Sequence, residues 1–169
     1  MFVDGYCPGC GGGEGNQSCK IAKCSLEPGG ILYCFQCEKF PCGYYEKADE
    51  YDSFITHRNR RVDLEKAKSV GIEAYNREQA EKIEILTFLL KYFNDGRKKS
   101  FFCLAVNLLE LQDLNFILHK LKDDTEFEQM SLEERAENAR RLLQSAADKE
   151  NISLKLNKKS NGKTKSRSV

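Results

Sequence analysis

Apolar positions divide this chain before any single motif does. From Tyr45 to about Ala147 they recur at three- and four-residue spacing, the period of amphipathic helices. Residues Tyr51–Lys68 are predicted as a first helix with an arginine-rich middle, THRNRRVDLEKAK, and Gly71 interrupts it. A stronger pattern runs from about Asn76 to Phe93, where Ala80, Ile83, Leu86, Leu90 and Phe93 share one face. Asn76 and Gln79 are placed to form a reciprocal cap. The turn NDGRKKS, with Asn94 and Gly96 as breakers, ends that helix. A third helix is predicted from about Phe101 to Lys122. Its first half, SFFCLAVNLLEL, is apolar nearly all round, so it belongs at the centre. The run SLEE at Ser131–Glu134 is a capping-box signature that opens a fourth helix to about Ala147. Ile152–Leu156 alternates weakly, like a short strand, and the Asn-, Lys- and Ser-rich end reads as disordered.

Residues 1–43 follow no such period. They hold seven of the eight cysteines and nine of the twelve glycines, with few aliphatics, so they cannot build a core and need another staple. The spacing is Cys7-x2-Cys10-x8-Cys19-x4-Cys24-x9-Cys34-x2-Cys37-x4-Cys42. A C-x2-C pair lets two thiolates turn onto one tetrahedral zinc, and metal binding supplies folding energy directly. Gly9 inside CPGC relieves one turn, and Pro41 fixes the approach of Cys42. All seven are therefore candidate metal ligands. Two separate four-cysteine sites need eight thiolates. The open partitions are one site with spare cysteines, two sites completed by His57, or a binuclear cluster with shared sulfurs. Cys34, Cys37 and Cys42 with Cys24 form one suggested set, and Cys7, Cys10 and Cys19 a second or extended one. An iron–sulfur cluster is the alternative cofactor to zinc, because C-x2-C pairs serve clusters too. Thiol redox chemistry at CPGC is disfavoured, since GGGEG follows it instead of a helix start.

Other residues are given plainer roles. His57 is assigned as a partly exposed helix histidine, with ligation as its second role. His119 is placed near a helix C-terminus, where it interacts with the dipole. Cys103, within SFFCLAVNLL, is expected as a buried structural cysteine. GGGEGNQS lacks the Gly-Lys-Ser/Thr of a phosphate loop, and no catalytic constellation is visible. The net charge of +1 hides a basic end. Lys155–Val169 holds six basic residues and no acidic one, leaving 21 basic against 26 acidic elsewhere. Nucleic-acid contact would therefore fall to that tail, and to the clusters Arg58, Arg60, Arg61 and Arg97, Lys98, Lys99. There is neither a signal-peptide pattern at the N-terminus nor an apolar run long enough for a bilayer. The expectation is a cytoplasmic chain without membrane contact, where clustered cysteines mean metal rather than disulfides.

The run SCKIAKCSLEPGGILYCFQCEKFPCGYYEK (Ser18–Lys47) resembles an uncharacterised prokaryotic cysteine-rich family, domain of unknown function 3795. The family's C-x-G-C falls on Cys7, Gly9 and Cys10, and its C-x4-C on Cys19 and Cys24. Its glycine spacer falls on Gly29 and Gly30, and its C-x2-C with aromatic-Pro-Cys on Cys34, Cys37, Phe40, Pro41 and Cys42. The resemblance implies metal binding and no known activity. Relatives carry a further cysteine motif upstream, whereas six residues precede Cys7 here.

The expectation is thus a mainly α protein. Residues 1–43 form a metal-stapled module, residues 44–150 a compact domain of about four helices, and residues 151–169 a disordered basic tail. Phe35, Phe40, Tyr44 and Tyr45 are expected to dock the module on the helices. The expected function is that of a zinc protein for interaction or regulation through a protein partner rather than catalysis, with the enzyme question left open by the lack of a visible catalytic constellation. An iron–sulfur or thiol-redox protein and a nucleic-acid-binding zinc protein are the alternatives.

Overall fold

A computed structural model describes residues 20–26, 31–48, 50–53, 55–125 and 129–159. They are mainly helical, and no strand occurs among them. In chain order the helices are α1 (Lys20–Leu26), α2 (Arg60–Val70), α3 (Ile72–Tyr92), α4 (Lys99–Leu108), α5 (Leu111–Lys122) and α6 (Leu132–Lys149). No helix among the described residues is long and apolar enough to cross a membrane.

Two sequence expectations hold closely. Gly71 separates α2 from α3 at φ +86°, a conformation open to glycine and strained for residues with a Cβ. Ser131 caps α6: its hydroxyl accepts from the Glu134 N–H at 3.3 Å, and the Glu134 carboxylate accepts from the Ser131 N–H at 2.8 Å.

Four boundaries differ. The first predicted helix begins at Arg60, not Tyr51, because residues 50–53 and 55–58 form a strap held by side-chain bonds. α3 starts at Ile72, so Asn76 lies inside it and caps nothing. The predicted third helix is broken in two at Leu109 and Glu110, both extended, giving five helices beyond the cysteine-rich segment instead of four. Ile152–Leu156 pairs with no strand; it runs extended along the body, with Leu154 only 6% exposed.

The core is shared by α3, α4, α5 and α6. Ile85, Leu89, Phe93, Phe102, Leu109, Leu114, Leu121 and Leu143 form one buried cluster with Leu154. α4 is buried on nearly every side, as its uniformly apolar sequence requires, while α3 touches α2, α4, α5 and α6. Burial of these side chains, at about 25 cal/mol per Å² of apolar surface, stabilises the body without help from the cysteines.

Candidate metal centre

The described part of the cysteine-rich segment is a chain of tight turns begun by cysteine carbonyls. Cys34 C=O accepts from Cys37 N–H at 3.0 Å, and Cys37 C=O from Phe40 N–H at 3.0 Å. Cys42 C=O accepts from Tyr45 N–H at 2.9 Å. The first turn puts Cys34 and Cys37 on one wall. The cis Phe40–Pro41 peptide then leads into Cys42. The Cys34–Gln36 turn rests on α2, and the Gly43–Tyr45 turn rests on α1, which carries Cys24.

These elements bring Cys24, Cys34, Cys37 and Cys42 to one cavity of about 40 Å³, closed by Ile21, Ile31, Phe40 and Tyr45. Pockets for organic ligands run to about 300–1,000 Å³, so this space is far smaller than such a pocket. Their sulfurs border the cavity without converging: among the described residues no three His, Cys, Asp or Glu side chains stand in metal-holding geometry. Cys34, Cys37 and Cys42 carry free thiols. Cys7, Cys10 and Cys19, the other expected ligands, lie outside the described residues.

Tyr45 is the key neighbour. It is 8% exposed, the one buried side chain among those described in residues 20, 21, 23, 24 and 31–48. Its ring meets Phe40 edge-on at 5.3 Å. Of the four aromatics expected to dock the segment, it alone is buried. Phe35 stacks on Tyr33 at 5.4 Å, and Tyr44 is half exposed. The Tyr45 hydroxyl is the one buried side-chain polar atom among the described residues that makes no hydrogen bond. Burial, then the Cys34 sulfur beside it, pushes that hydroxyl well above the ordinary tyrosine range, so it stays a protonated donor.

Behind this wall lies a groove of about 380 Å³ that shares Ile21, Cys34 and Tyr45 with the cavity and is otherwise bounded by Leu32, Tyr33, α2 and α3. Asp63 and Tyr75 face each other there. Burial raises the Asp63 carboxyl pKa against the pull of Lys82 and the Tyr75 hydroxyl, and burial with the Asp63 charge raises the Tyr75 pKa. Beside the groove, partly exposed Lys66 bridges Glu78 (2.6 Å) and Glu110 (2.8 Å), and burial lowers the pKa of Lys82. Asp63, Tyr75 and this charge network carried no local signal in the sequence, because their spacing matters only once α2 and α3 pair.

The remaining candidates are placed elsewhere. His57 does not line the cavity; its Nε2 faces the Ser53 hydroxyl at 3.2 Å, in the strap rather than a helix. His119 is exposed in the last turn of α5. Cys103 is half-buried on α4, not fully buried, and burial raises its thiol pKa. Several clustered basic residues have partners within the chain. Arg58 donates to the Ser153 and Lys155 carbonyls, Arg61 pairs with Glu65, and Arg97 and Lys98 pair with Asp95.

Residues 1–47 match the family described as protein of unknown function (DUF3795), the family that the cysteine spacing resembles. Comparison with curated proteins and with solved structures found no match.

Proposed function

We propose that this is a zinc-binding protein in which Cys24, Cys34, Cys37 and Cys42 hold one structural metal ion. Cys7, Cys10 and Cys19 form an extended or second set, and the stapled segment serves interaction with a protein partner. The observation that carries this reading is the gathering of four cysteines, from α1 and three successive turns, around one small cavity. Four thiolates are a complete donor set for tetrahedral zinc, which needs Zn–S distances of about 2.3 Å. Cys24 is exposed and Cys34, Cys37 and Cys42 are half-buried, so none of the four is locked in a packed core. A dication offsets two of the four thiolate charges and so lowers the cost of crowding them in the cavity.

Metal analysis of the full chain, purified reduced and without added zinc, tests this. About one or more equivalents of zinc per chain is expected, with Cys34→Ala and Cys37→Ala each lowering the content. Less than about half an equivalent of any transition metal, with the native thiols titrating freely, overturns the reading. A brown protein that carries iron would replace zinc with an iron–sulfur cluster.

A further inference from the structure

Among the described residues, only the Tyr45 hydroxyl is a buried side-chain polar atom without a hydrogen bond, and it lies at the wall of the cysteine cavity. An unmet buried hydroxyl is costly, at about 1–3 kcal/mol, and few proteins keep one without use. What it lacks is an acceptor in full hydrogen-bonding geometry, although the Cys34 sulfur already acts on it as a weak hydrogen-bond neighbour. The Cys34 sulfur stands beside it, with Cys42 also near. A neutral thiol is a weak acceptor, whereas an ionised sulfur accepts a short, charge-assisted bond about twice as strong as a neutral one. The hydroxyl is thus placed for a sulfur in its metal-bound form.

We propose that Tyr45 is a positioning residue whose hydroxyl donates to the Cys34 thiolate when the cavity is loaded. This inference rests on the metal reading above. The same ring forms a wall of the groove against Arg60, Leu64 and Ala67 of α2, so the bond ties the state of the cavity to the seat of the segment on the helices. Loading gives the hydroxyl its acceptor, and the hydroxyl in turn draws electron density from the Cys34 sulfur and fixes its direction. In this step the Cys34 S–H bond breaks and its proton leaves to solvent as the metal–sulfur bond forms; the O–H···S bond then forms and the tyrosine keeps its proton.

The test uses the full chain, reduced and stripped of metal, as wild type, Tyr45→Phe and Tyr44→Phe. Each is titrated with Co(II), and zinc affinity is then measured by competition with a chelator. Tyr45→Phe should keep the stoichiometry, lose about 10–100-fold in zinc affinity, and shift the sulfur-to-cobalt charge-transfer band. Tyr44→Phe, which removes a half-exposed hydroxyl from the same turn, should leave both unchanged. Independently of any variant, loading the wild type should produce a slowly exchanging tyrosine hydroxyl proton resonance. Affinity within about twofold of wild type and an unshifted band in Tyr45→Phe would overturn the inference while leaving the metal reading intact. So would the absence of that resonance from the loaded wild type. A wild-type chain that takes up no metal overturns both.

Discussion

Asp52 joins two parts of the chain that are 105 residues apart. Its carboxylate accepts from the N–H groups of His57 and Asn157, each at 2.9 Å, and from the Thr56 hydroxyl at 3.2 Å. The Arg58 guanidinium lies 3.7 Å away and reaches on to the Ser153 and Lys155 carbonyls. Burial alone would raise the Asp52 pKa, but these backbone, hydroxyl and cationic donors together hold it below the ordinary range. A depressed folded pKa contributes stability above the unfolded value of about 4 and loses it as pH falls through the folded one. Asp52→Ala should therefore cost about 2 kcal/mol near neutral pH in denaturant unfolding. The gap to wild type should narrow between about pH 5 and pH 2. An equal gap across that range would refute the role of the ionised carboxylate. Nothing near Asp52 in the sequence announces it. DSFITHRN reads as helix by composition, and the Asn157 and Ser153 partners lie in a stretch that reads as loose tail. Cys34, Cys37 and Cys42 could be read because a C-x2-C pair and a following Pro-Cys act locally. Whether the Tyr45 ring or the Tyr44 ring turns inward depends on α2, which no local pattern contains.

Helix boundaries show the same division between local and distant causes. Gly71 was legible because only a residue without a Cβ adopts φ +86° and ψ 148° cheaply. A Cβ there would meet nothing within 4 Å, so any loss in Gly71→Ala comes from the backbone alone. That variant should lose about 1–3 kcal/mol, measured by chemical denaturation, without change in the helix content of the folded state. A neutral result would mean that α2 and α3 reorient freely at this joint. Ser131 was legible for a similar reason, since its cap closes within four residues. The break at Leu109 and Glu110 was not. NLLELQDL contains no glycine or proline, and its helical period continues unbroken. What stops α4 there is tertiary: the extended pair buries Leu109 completely and carries the Glu110 carboxylate to Lys66 at 2.8 Å. Ile152–Leu156 alternates as a strand would, yet it has no strand to pair with; its alternation instead sends Leu154 into the core and leaves Ser153 exposed.

Across the molecule, stability is unevenly divided. The helices from α3 to α6 share a continuous apolar core that includes no residue of the cysteine-rich segment. Among the described side chains of that segment, Tyr45 is the buried one. The sequence foretold this contrast, because glycine-rich residues 1–43 hold few aliphatics while helical periodicity begins at Tyr45. The number of metal ions stayed open, since spacing limits which cysteines turn together but not which turns meet in space. If a metal staples the segment, its removal should act locally. Chelation under reducing conditions should speed amide exchange across residues 31–48, whose turns rest on single hydrogen bonds such as Cys37 N–H to Cys34 C=O. Exchange at Ile85, Leu89 and Leu114, deep in the core, should stay near its original rate, and the main unfolding transition should shift little. Exposing Tyr45 should also open the groove wall beside Arg60 and Asp63, so a modest rise is expected in the first turns of α2. Exchange that rises equally in α3 to α6 would show that the metal supports the whole fold. Unchanged exchange at residues 31–48 would show that these turns hold without a metal.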